Sequence, residues 1–94
     1  MSTPTRPAGD EVYSTLVREA VQEIAEYVRT HECDEFVLKV EIKVMIEAFQ
    51  ELRDGAFSVL EFAARRVVAR FENTPNLADN KLKILLRSLS LKLS

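Results

Sequence analysis

The chain reads as a small all-α domain, an up-down four-helix bundle, and three observations predict it. Apolar residues recur at helical spacing through most of its 94 residues. Only two Gly and three Pro occur, two of those Pro within the first seven residues, so breakers are scarce. A Gly at position 55 and a Pro at 75 then divide the remainder into segments of similar length, roughly 11–30, 35–53, 56–72 and 77–92.

Residues 1–9, MSTPTRPAG, offer nothing to bury and are expected to form a disordered tail ahead of one helical domain at 10–94. Asp10 is placed to cap the first helix through its carboxylate. Tyr13, Leu16, Val17, Ala20, Val21, Ile24, Tyr27 and Val28 then follow the i, i+3, i+4, i+7 rule to about Thr30. Asp34 is the expected cap of the second helix. Residues 36–46, FVLKVEIKVMI, carry two patterns at once. Leu38, Val40, Ile42 and Val44 alternate as in a strand, while Leu38, Ile42, Met45, Phe49 and Leu52 form a helical stripe. A lone strand would lack a partner for its backbone groups, so helix is the reading taken. In the last helix Leu82, Leu85, Leu86, Leu89 and Leu93 form the buried stripe, Ile84 and Leu91 lie off it, and Asn76 is the expected cap.

Continuity through Gly55 is the alternative architecture. The stripe of Leu52, Ala56, Val59 and Ala63 keeps the phase begun at Leu38, as one central helix from about 36 to 71 would require. That three-helix order resembles the histone fold in outline over residues 12–90, without a diagnostic motif. The resemblance implies a partner chain and a basic second half. The first helix is long for it, and the turn before the second helix lacks its usual chemistry, so the four-helix bundle is preferred.

Composition narrows function mainly by exclusion. Hydrophobic residues make up 47% and charged residues 30%, a globular rather than a disordered mixture. No apolar run approaches the length of a membrane span, and no secretory h-region follows Met1, so an intracellular location is expected. A single Cys rules out an internal disulfide framework. His31, Glu32, Cys33, Asp34 and Glu35 are the only mixed ligand cluster, and adjacent turn residues cannot all converge on one ion. Acidic neighbours also raise a thiol's pKa, which argues against a Cys33–His31 nucleophilic pair. The segment is therefore read as a solvated turn, and no metal, cofactor, small-molecule substrate or catalytic residue is expected.

Two surface features remain. Net charge is −2, but residues 1–54 hold six Lys/Arg against twelve Asp/Glu, and residues 55–94 hold seven against three. Arg65, Arg66 and Arg70, with Lys81 and Lys83 across the turn, form the one basic cluster and the candidate contact for nucleic-acid phosphates. The overall pI near 5.4 and the absence of interleaved aromatics weigh against that use. Leu82-Lys83-Ile84-Leu85-Leu86 matches an L-x-x-L-L docking pattern, which leucine-rich helices produce by chance and which is read as core. The wider signal is apolarity in excess of one small core. Phe57, Leu60, Ala64, Val67, Val68 and Phe71 make a second stripe beside the first, the expected interface with a partner. The sequence therefore points to a non-enzymatic assembly subunit that packs against itself or another protein chain, with a small nucleic-acid-associated protein as the alternative.

Overall fold

The computed structural model describes residues 8–52 and 57–94. Four helices run in chain order: α1 (Ala8–Val28), α2 (Phe36–Gln50), α3 (Phe57–Glu72) and α4 (Asn80–Leu93). Each packs beside the next, and α4 closes the ring against α1, while α2 and α4 stand on opposite corners. This is a compact all-α four-helix bundle. Among the described residues no helix is long and apolar enough to cross a membrane.

Residues 36–46 are helical, and the strand pattern is not used. The helix also stops at Gln50, and Leu52 lies outside it, so the single central helix over 36–71 does not form. Gly55, where the sequence places the break, lies outside the described residues. The histone-like outline falls with the long helix. Because the chain turns between α2 and α3, the phase of α3 is set independently. Leu60, Ala63, Ala64, Val67 and Val68 face the core, whereas Val59, in phase with the α2 stripe, points outward.

The core is built from one stripe per helix: Val17, Ala20, Val21 and Ile24 of α1; Leu38, Ile42 and Met45 of α2; the α3 set; and Leu82, Leu85, Leu86, Leu89 and Leu93 of α4. Ile84 and Leu91 fall outside it as their spacing requires. Phe49 and Leu52 are only half-buried, because they sit at the end of α2 rather than at the centre of a long stripe.

The helix ends depart from the expected caps. α1 begins at Ala8, so Asp10 lies within it rather than ahead of it. Glu35, not Asp34, is the N-cap of α2, and it makes no side-chain cap bond. The connection into α4 runs past Asn76 to Asp79, whose Oδ1 accepts the Leu82 amide at 3.0 Å. Leu77, buried just ahead of that cap, anchors the connection in the core. At the end of α3, Asn73 Nδ2 donates to the Ala69 carbonyl at 3.0 Å and Thr74 Oγ1 to Arg70 at 2.8 Å. These side chains join the Asn73 amide, which reaches the same two carbonyls, in closing the end of α3, and Pro75 bars continuation.

Candidate functional site

The stripe expected to meet a partner is occupied by the chain itself. Leu60, Ala64, Val67 and Val68 are buried against the other helices. Phe57 and Phe71 pack half-buried on the same core, and Tyr13 meets Phe57 edge to face at 5.8 Å between ring centres. These six residues hold the bundle together, and only Phe57 and Phe71 keep part of their surface free. The leucines of the L-x-x-L-L pattern, Leu82, Leu85 and Leu86, are buried too.

The five basic residues do not form one face. Arg65 Nη2 donates to Tyr13 Oη, to Glu61 and to the Leu93 carbonyl, at 3.1, 3.0 and 3.1 Å. It thereby links α1, α3 and the end of α4. Tyr13 also donates to Glu61, and that bond, with Arg65 behind it, holds the Glu61 carboxyl below the usual carboxylate range. Arg66 turns the other way and grips Glu41 of α2 with two bonds, Nε–Oε1 at 3.2 Å and Nη2–Oε2 at 3.0 Å. Arg70 lines a shallow depression with Phe36 and Pro75. Lys83 lines another, with Phe71, Arg87 and Leu91. Lys81 is exposed on α4. Among the described residues Arg70, Lys81 and Lys83 make no ion pair.

The turn between α1 and α2 is not wholly solvated. Cys33 is buried, with its Sγ 3.7 Å from the Glu35 carbonyl, and burial pushes its thiol pKa up. The His31 ring stacks on Tyr27 at 4.2 Å, and its Nδ1 lies 2.9 Å from Thr30 Oγ1. Among the described residues no three His, Cys, Asp or Glu side chains converge as metal ligands would.

Uncovered apolar side chains lie elsewhere: Val12 and Leu16 on α1, Ile84 and Leu91 on α4, and the largest group on the outward side of the α2–α3 pair. Phe36 is 75% exposed and Phe62 65%, and Val37, Val40, Val44 and Val59 are also exposed. Helical geometry explains why. On α2, Leu38, Ile42 and Met45 define the inward direction, and residues 36, 40 and 44 advance along the opposite side in steps of four. On α3, Phe62 lies roughly opposite Leu60 and Val67, and Val59 sits about 100° round from Leu60, at the border of the buried stripe. The Arg66–Glu41 pair fixes how the two antiparallel helices align. One turn nearer their connection, Val44 of α2 is level with Phe62 and Ala63 of α3. Arg66 reaches over Phe62, its Cζ 5.9 Å from the ring centre. The result is a valine- and phenylalanine-bearing face with one ion pair in its seam. Sequence reasoning missed it because Phe36, Val37, Val40, Val44 and Phe62 lie off the stripes taken as buried, while Val59 falls on one of them. The signal that could have found them is the alternation in residues 36–46, which makes α2 apolar on two sides.

Compared with protein-family models, curated proteins and solved structures, the chain matches none of them significantly.

Proposed function

We propose that this chain is a non-enzymatic assembly subunit whose α2–α3 outer face is covered by another protein surface. The observation that carries this reading is the concentration of six large apolar side chains on one side of two adjacent helices. Isolated exposed apolar residues are ordinary on a globular protein, whereas a contiguous group marks a contact surface. The buried stripes of all four helices are already satisfied within the bundle, so this face is surplus to folding. Phe62 under an arginine is also the kind of aromatic–cation pairing that interfaces favour.

The basic residues support a nucleic-acid role poorly. Arg65 and Arg66 are engaged in opposite directions, and Arg70 and Lys83 line separate depressions. Phosphate binding needs cations aligned along one track.

Light scattering on the full chain across micromolar concentrations tests the reading. The expected result is a mass above that of the 10.7 kDa chain, as defined oligomers or as concentration-dependent association. A monodisperse monomer throughout would overturn it.

A further inference from the structure

We propose that the occupant of this face is a second copy of the same chain, with α2 packing antiparallel on α2 across a twofold axis. The inference rests on the assembly reading above and adds the partner's identity. Two observations carry it: the charge order along α2, and the area left uncovered.

On the outer side of α2, beside the Phe36–Val40–Val44 row, the charges run in one order. Lys39 and Lys43 come first, then Glu47 and Glu51 at the far end. All four are exposed. A helix that is basic toward one end and acidic toward the other complements its own reversed copy. A twofold axis level with residue 45, midway between Lys39 and Glu51, sets Lys39 of one copy against Glu51 of the other and Lys43 against Glu47. Such an axis keeps the same flank of each helix together, so the charged flanks meet and the two α3 faces meet beside them. Lys39 is held in the single chain only by an exposed pair to Glu32 at 3.3 Å, weak enough to exchange. Among the described residues Lys43, Glu47 and Glu51 form no ion pair within the chain.

The area is of the right size. At ~200 Å² per phenylalanine side chain, the exposed fractions of Phe36 and Phe62 leave roughly 300 Å² uncovered. The four valines, each near half exposed, add a comparable amount. A standard interface takes about 800 Å² from each partner, of which about 56–65% is apolar. The apolar part of that requirement is already present on this one face.

The test is sedimentation equilibrium on the full chain and two charge-reversed variants, Lys39→Glu/Lys43→Glu and Glu47→Lys/Glu51→Lys. Both reversals are favourable to the α2 dipole or exposed on it, and far-UV circular dichroism checks that each variant stays helical. The expected result is a dimeric parent and a loss of about tenfold or more in self-association for each variant, since like charges then face each other. An equimolar mixture of the two variants is expected to recombine as a one-to-one dimer that weakens with added salt. Variants that dimerise as tightly as the parent, or a mixture that does not recombine, would overturn the α2 pairing while leaving the assembly reading in place. Ill-defined aggregates of the parent, abolished by Val40→Asp/Phe62→Asp, would overturn the second copy and assign the face to a different chain. A monomeric parent would overturn both readings.

Discussion

The hydroxyl of Tyr27, on the last turn of α1, lies 2.8 Å from both carboxylate oxygens of Asp79, the residue that caps α4. One side chain therefore serves two elements. Asp79 accepts the Leu82 amide at the start of α4 and ties that end to α1, fifty-two residues earlier. The Leu82 amide, first, and the Tyr27 hydroxyl then hold the Asp79 carboxyl below its ordinary range.

Asp79→Ala removes both contacts and should destabilise by about 1–2 kcal/mol, the usual cost of losing an N-cap. Tyr27→Phe leaves the cap in place and should cost less. Urea melts of the two variants check the order. Equal losses would mean that the cap contributes nothing beyond the tyrosine bond.

Acid should weaken the fold through the same groups. Asp79 and Glu61 both have carboxyl pKa values lowered by folding, Asp79 by the Leu82 amide and Tyr27, Glu61 by Tyr13 and Arg65. A lowered folded-state pKa means the stabilisation is present above the unfolded value of about 4 and is lost as pH falls through the folded value. Melting temperature should therefore drop as pH falls below about 4. Asp79→Asn/Glu61→Gln should flatten that acid limb relative to the parent, because neither replacement titrates. An unchanged limb would show that other carboxylates set it.

Core truncations should separate by depth. Leu60 and Leu86 are fully buried, so Leu60→Ala or Leu86→Ala should cost about 2–5 kcal/mol. Leu52, half-buried beyond the end of α2, should cost less. Glu23→Ala, on the polar side of α1, should stay within about 0.5 kcal/mol of the parent. Circular dichroism melts give the order. A Leu86→Ala variant that melts like Glu23→Ala would contradict the packing of α4.

How much of this was legible depends on how many solutions each pattern allows. In α4 the leucines at 82, 85, 86, 89 and 93 share one face and outnumber Ile84 and Leu91 off it, so the whole core stripe was readable. In α2 the apolar residues cover two sides, and periodicity alone cannot say which one meets the core. The apparent phase continuity from Leu52 through Val59 then favoured a wrong orientation for Val59, because it holds only if the helix does not turn. That error passed to the candidate surface: Leu60, Ala64, Val67 and Val68 looked surplus and are in fact the core of α3. The basic cluster failed for a different reason. Adjacent Arg65 and Arg66 sit about 100° apart on their helix, and their partners Tyr13 and Glu41 come from distant segments. Asp79 rather than Asn76 as the α4 cap follows from Leu77, whose burial carries the chain past the earlier position.

Sedimentation velocity of the parent beside Val40→Asp/Phe62→Asp, with a thermal melt of each, tests the claim that the α2–α3 face is an association surface most directly. Both residues are exposed, so the substitutions should leave the melt of the single bundle nearly unchanged. The predicted result is a parent that sediments as an associated species and a variant that sediments as a folded 10.7 kDa monomer. Identical sedimentation of the two, with both folded, would contradict it.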